Sequence, residues 1–316
     1  MTPAAALETT AFEAGRARAR RRARSRLEAV QGYLYMSPWL IGFFVWTLGP
    51  MIFSAGLAFF EWEIVTPPQF VGFGHFRELA QDRLFYKSLF NTAYYSFVRV
   101  PLQLVVSLTV AFALNTGLSG IRFYRTIFYL PSVIPMVAIA ILWVWVFNPE
   151  LGLVNALLRS LGLSPQLWMM DPKLVKPVFI FVSLWAIGDQ FVIFLAGLQG
   201  IPIPLKEAAA IDGATSWQSL LHITIPVLSP VIFFNLVVGV IHSFQVFTLA
   251  YIATNGGPNY ASLFYVLYLY RNAFEFMRMG YAALLAWILF VIIGLLTLLQ
   301  LNLASRWVYY EAPIQR

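Results

Sequence analysis

Lys206-Glu-Ala-Ala-Ala-Ile-Asp-Gly-Ala-Thr-Ser-Trp-Gln-Ser-Leu-Leu-His-Ile-Thr-Ile-Pro226 is the longest segment after the N-terminal arm that does not read as a membrane span. It lies between two strongly apolar runs, Val178–Leu198 and Val227–Ala250. Its local signals predict a short helix, a break and a second helix. Pro202 and Pro204 block helix upstream, and Leu205–Ile211 is rich in good helix formers. Gly213 suits the left-handed residue that ends a helix. Thr215 and Gln218 stand at capping-box spacing for the next helix. Pro226 fits the first turn of the following span, where its missing N–H costs nothing.

Composition sets the surroundings of that connector. The chain has 316 residues, 60% hydrophobic and 11% charged. Soluble domains carry about 25% charged residues, and several runs here reach the ~20 apolar residues needed to cross a bilayer. The expectation is an all-α, polytopic transmembrane bundle of about six spans: Leu34–Phe60, Leu89–Leu114, Ile127–Phe147, Val178–Leu198, Val227–Ala250 and Tyr281–Leu303. The absence of cysteine excludes disulfides, thiolate metal sites and cysteine nucleophiles. The net charge of +7 comes mostly from one arm, so nucleic-acid binding by the body of the protein has no support.

That arm, residues 1–30, holds seven arginines between Arg16 and Arg26. It reads as a disordered tail that fixes topology by keeping the N-terminus cytoplasmic. The following apolar run is too long for a cleavable signal peptide. Residues 31–305 then form the membrane domain, with the connector at 201–226, and 306–316 a tail on the same side. On this topology Glu61–Lys87, Asn148–Pro177 and Thr254–Gly280 lie outside, while Asn115–Arg125 and the connector lie inside. Leu151–Leu163 reads as a short amphipathic helix, and Trp168 as an interfacial anchor. In Thr254–Pro258, Gly256 and Gly257 permit positive φ in a turn. Pro131 and Pro135 predict a kink or a loosened helix start.

Glu207-Ala208-Ala209, Gly213 and Ile223-Thr-Ile-Pro226 in this order resemble the "EAA" loop of binding-protein-dependent ABC importer permeases. Phe194-Leu-Ala-Gly-Leu-Gln199 before it, and Thr254-Asn-Gly-Gly-Pro258 after it, are similar to the sugar-permease branch with its maltose- and glycerol-phosphate-type members. The likeness runs from about Leu34 to the C-terminus. It implies the type I importer permease fold and a bacterial plasma (inner) membrane location. Its implied partners are a second homologous permease (a heterodimer), two cytoplasmic ABC ATPase subunits and an extracytoplasmic solute-binding protein. No cofactor is then expected on this chain, since ATP and magnesium belong to the ATPase. The loop becomes a coupling helix. Glu207 meets the ATPase, Ala208 and Ala209, with Ala210, allow close approach, and Gly213 makes the turn. Asp212 and Pro226 complete the set.

Ionisable and amide side chains inside a span need a polar cavity or a partner. Asp189 and Gln190 fall in the middle of the fourth run, where the resembling branch usually has an uncharged residue near Asp189. Asp189 either lines a cavity for a hydroxylated substrate or pairs with Arg99 or a partner subunit. Asn235, His242 and Gln245, at i, i+7 and i+10, fall within about 80° of one helical face. Such an amide–imidazole–amide stripe suits sugar hydroxyls, which need donors and acceptors, and equally suits helix–helix hydrogen bonding. In the second run Asn91, Tyr95 and Arg99 share a face, and Arg99 snorkels or pairs.

There is no Gly-x-x-x-x-Gly-Lys-Ser/Thr phosphate loop, so the chain is not an ATP-hydrolysing subunit. His75, His222 and His242 form no HExxH pair, and no Gly-x-Ser-x-Gly elbow occurs; no catalytic residue and no metal site is expected. The function expected is that of a sugar or polyol importer permease working by alternating access. The other reading is a stand-alone secondary transporter, with Asp189 and His242 as an ion relay. It has no use for an ATPase-docking loop.

Overall fold

A computed structural model describes residues 30–309. The arginines of the arm and most of the expected C-terminal tail lie outside the described residues. The chain divides into two compact units, Met1–Ala58 and Phe59–Arg316. The described part of the first is one apolar helix, α1 (Val30–Leu57), with a π-helical stretch at Phe43–Leu48.

The second unit is helical apart from a two-residue antiparallel ladder pairing Phe60 with Phe70 and Glu61 with Gln69. After α2 (Gly74–Gln81) comes α3 (Arg83–Leu114), capped at its start by the Asp82 side chain, which accepts from the Leu84 and Phe85 amides. At its other end Arg125 donates twice to the Leu114 carbonyl, placing a cation where the helix dipole favours it. The third apolar run is two helices, α4 (Ile121–Val133) and α5 (Met136–Val146), bent by 98°. Ile134 is extended at the break, the conformation a following proline imposes. α6 (Leu153–Ser160) is the expected short helix. Trp168 is not only a surface anchor: its indole Nε1–H donates to Asn155 Oδ1 at 2.8 Å.

The fourth run, expected to be continuous, is also broken. α7 (Val175–Trp185) and α8 (Gly188–Gln199) meet at 48°. The connector then forms α9 (Ile203–Ile211), and α10 (Ser216–Ala253) follows. The chain closes with α11 (Tyr265–Tyr270) and α12 (Met279–Ala304). Four helices, α1, α3, α10 and α12, are long and apolar enough to cross a membrane, and the two bent pairs bring the number to six. The expected all-α bundle of about six spans is therefore the architecture found.

Helix α3 is the axle of the second unit, packing against α7, α8, α10 and α11. Two apolar cores lie along it. One gathers Tyr95 with Phe179, Phe264 and Tyr281; the other joins Ala111 and Leu114 to Phe191, Phe194 and Leu228. Between them α3 presents Arg99, Gln103 and Ser107, one turn apart each.

Candidate functional site

Two adjoining chambers open at that polar interval. The smaller, about 240 Å³, takes Gln103 from α3, Ser132 from α4, Asp189 and Gln190 from α8, and Asn235 from α10. The larger, about 350 Å³, takes Tyr95, Ser183, Gln245 and Thr248. Arg99, Met136, Ile139, Ala186 and His242 line both and mark where they meet. The structure thus brings together Asp189, Gln190, Asn235, His242, Gln245 and Tyr95.

Asn91 lines neither chamber. It is fully buried; its amide donates to the Tyr260 and Leu263 carbonyls at 2.8 and 3.0 Å, and its carbonyl accepts from Lys176 Nζ at 3.1 Å. With all these groups engaged it fastens the 254–265 turn onto α3. In that turn Gly256 has φ +79°, but positive φ falls next on Asn255, Asn259 and Tyr260 rather than on Gly257.

The broken helix explains how a carboxylate can face this space. Asp189 is not mid-helix but in the first turn of α8, where unsatisfied backbone N–H groups favour negative charge. The break itself is held by close packing. A Cβ on Gly188 would lie 2.2 Å from Ser132 Oγ and 3.0 Å from the Tyr129 carbonyl. Gln190 Oε1 accepts a long hydrogen bond from Ser107 at 3.4 Å, and Asn235 donates to the Val231 carbonyl at 3.1 Å. Asp189, His242 and Gln245 are exposed to the chambers and make no side-chain hydrogen bond among the described residues.

Arg99 is the wall residue that sequence reasoning passed over as a snorkelling or paired side chain. It forms no ion pair among the described residues, and in particular none with Asp189. Its Nε is buried without a partner, and the guanidinium lies 5.6 Å from the centre of the Tyr95 ring. The usable signal was the four-residue spacing of Asn91, Tyr95, Arg99, Gln103 and Ser107, which a helix turns into one slowly drifting stripe.

The connector is built as its local signals predict, with two differences. Gly213 has φ +76°, and Thr215 and Gln218 form the reciprocal capping box. However, Pro204 lies inside the first turn of α9 instead of blocking it. Likewise Pro226 does not open a new helix. A π-helical turn, Leu220–Thr224, carries α10 through it without a break. On α9, Glu207, Ala208, Ala210 and Asp212 are exposed, while Ala209 faces inward at 7% exposure. Five large apolar side chains of the connector stand uncovered, Ile203, Leu205, Ile211, Trp217 and Leu221, with Ile211 at 86% and Trp217 at 66%.

Known proteins resemble this chain over most of its length. The chain is 41% identical over 292 residues to a probable ABC transporter permease, YesP of Bacillus subtilis, covering 91% of this chain and 94% of that one. It is 33% identical to the sn-glycerol-3-phosphate permease UgpA of Yersinia pestis (85% and 91% covered) and 32% to the arabinooligosaccharide permease AraP of Bacillus subtilis (86% and 88%). In three dimensions it is similar to a chain of a bacterial importer of the acidic polysaccharide alginate, with a TM-score of 0.79, 26% identity and coverage of 90% and 99%. The model of one family, described as binding-protein-dependent transport system inner membrane component, matches residues 103–309. That interval carries the lower part of α3, both bent helix pairs, most of the chamber wall and the connector. A multi-pass inner-membrane chain with this match is a non-enzymatic permease component of ABC transporters, and it belongs to that family.

Proposed function

We propose that the chain is one permease subunit of an ATP-driven, binding-protein-dependent importer of a sugar or related polyol. The uncovered connector carries the reading. A helix that ends at a left-handed glycine, re-enters a capped helix and leaves Ile211 and Trp217 exposed has the build of a docking element. Glu207 stands exposed beside them. Because α10 runs from this element through the π turn to the chamber wall at Asn235 and His242, force applied at the connector reaches the substrate path. The bent pairs α4–α5 and α7–α8 are the elements whose angles would change in alternating access.

Substrate class comes from the relatives and the wall. Their names specify glycerol phosphate and arabinooligosaccharides, and a similar solved importer is bound to a periplasmic protein holding an alginate pentasaccharide. Amide, hydroxyl and imidazole groups facing a chamber suit hydroxylated ligands. On this reading ATP and magnesium bind two ATPase subunits, a second permease completes the path, and a solute-binding protein delivers substrate from outside. Asp189 and His242 line one chamber without bonding each other, so nothing favours an ion relay.

The test is to extract the tagged chain gently from native membranes and identify what accompanies it. A phosphate-loop ATPase and a second six-span protein are expected. Glu207→Lys should reach the membrane normally, lose the ATPase from the purified assembly and lower uptake at least tenfold. Unchanged uptake in that variant would end the coupling assignment.

A further inference from the structure

We infer that the chambers select an anionic saccharide, one whose carboxylate or phosphate is held by Arg99 and whose hydroxyls face the amide groups around it. The inference rests on the importer reading above and names the substrate class it leaves open.

The charges in the wall are few and unevenly placed. Arg99 lines both chambers; its Nε is buried and unsatisfied, and no carboxylate pairs with it among the described residues. A buried guanidinium N–H without an acceptor is costly, and an acceptor arriving with the substrate would relieve that cost. The larger chamber contains no acidic residue. Its polar groups are Tyr95, Ser183, His242, Gln245 and Thr248 around Arg99. The one acid of the pair, Asp189, lines only the smaller chamber. A neutral sugar would leave the guanidinium facing hydroxyls alone. A sugar acid places its anion on Arg99 in the acid-free chamber and its hydroxyls toward Gln190, Asn235 and Asp189. At about 350 and 240 Å³ the two chambers have room for more than one ring.

A second cation, Lys176 of α7, lies toward the start of α3: its Nζ donates to Asn91 Oδ1, one turn of α3 before Tyr95, and sits 5.0 Å from the centre of the Tyr94 ring. It lines neither chamber, and adds to the positive field near Arg99.

Arg99 is suited to this because its fork binds a carboxylate or phosphate with two parallel hydrogen bonds, which lysine does not reproduce. The experiment uses the purified assembly of the chain with its co-purifying partners, and equilibrium dialysis with four probes. These are digalacturonate, its uncharged dimethyl ester, and glycerol 3-phosphate and galacturonate as competitors. Wild type should retain digalacturonate about tenfold more strongly than the ester, and the ratio should shrink as salt is raised. Competition by glycerol 3-phosphate that exceeds competition by galacturonate would identify phosphate as the preferred anion, and the reverse would identify carboxylate; both support the site. In Arg99→Gln the ratio should fall to about one, and in Arg99→Lys it should be intermediate. An ester bound as well as the acid by wild type overturns the proposal without recourse to any variant. So does a ratio that survives in Arg99→Gln. Uptake driven by an ion gradient without ATP would remove the importer reading yet leave the binding ratio standing, so the two failures are distinct.

Discussion

Asp82 shows how much one side chain can hold outside the spans. Oδ1 caps α3 through the Leu84 and Phe85 amides at 2.9 and 3.1 Å, while Oδ2 accepts from the Tyr268 and Tyr281 hydroxyls. One carboxylate thus joins α3, α11 and α12. Burial alone would raise its pKa; the hydrogen bonds from the two phenols and the two amides outweigh that and hold the carboxyl below its ordinary value. The stabilisation this supplies is present at pH above the unfolded carboxylate value of about 3.9 and is lost as pH falls through the lower native value. The thermal midpoint of the detergent-solubilised protein should therefore drop below about pH 4, and drop less in Asp82→Asn. Loss of the cap costs about 1 kcal/mol, and each phenol left unpaired about 1–3 kcal/mol. Asp82→Ala loses both contributions, whereas Asn is as good a cap as Asp. At neutral pH the midpoint should fall furthest in Asp82→Ala and less in Asp82→Asn. Equal midpoints in all three proteins would show that the residue carries no such weight.

At the scale of elements, Gly188 decides whether α7 and α8 can meet as they do. Its missing Cβ lets the break lie against Ser132 and Tyr129 of α4. Gly188→Ala must push the bent pairs apart, because one of the crowding atoms is a backbone carbonyl. Overpacking of this kind costs about 1–3 kcal/mol, and transport should fall with stability. Adding Ser132→Gly removes the side-chain half of the clash and should restore part of both; a double mutant no better than Gly188→Ala would place the strain elsewhere. The same junction marks where the sequence stops being readable. The connector is legible because its caps are local: Gly213, Thr215 and Gln218 each act within four residues. Pro131 and Pro135 announce a bend, although not one of 98°. At Ala186–Ile187 the local signal is only Gly188 followed by Asp189, inside an otherwise apolar run, and so Asp189 reads as mid-span when it heads a helix. The stripe on α3 was legible as a face, but periodicity does not distinguish Asn91, consumed by carbonyls, from Arg99, left facing a chamber.

The whole molecule raises the question of which way the helices point through the membrane. Six crossings put the connector and the α3–α4 turn on one side, and the α2 region with the α6–α7 loop on the other. Loop charge does not set the direction: Arg122 and Arg125 lie at the α3–α4 turn, on the connector side, while Arg77, Arg159 and Lys173 lie on the other. Arg125 is committed to the Leu114 carbonyl, so its position is structural. The orientation is directly measurable because the chain contains no cysteine, and each introduced thiol is then the only one. Val65 and Ile211 are 92% and 86% exposed, and Leu118 is 69% exposed; Ser164 is exposed in the α6–α7 loop. With the chain expressed apart from any ATPase, Val65→Cys and Ser164→Cys should react with a membrane-impermeant maleimide in intact cells. Leu118→Cys and Ile211→Cys should react only after permeabilisation. Labelling of Ile211→Cys in intact cells would put the connector outside, beyond reach of ATP-hydrolysing partners, and the coupling role would have to be abandoned even though the fold and the chambers remained. Protection of Ile211→Cys in permeabilised cells once the co-purifying ATPase is supplied would instead place that ATPase on the exposed face of α9, where large apolar side chains stand uncovered.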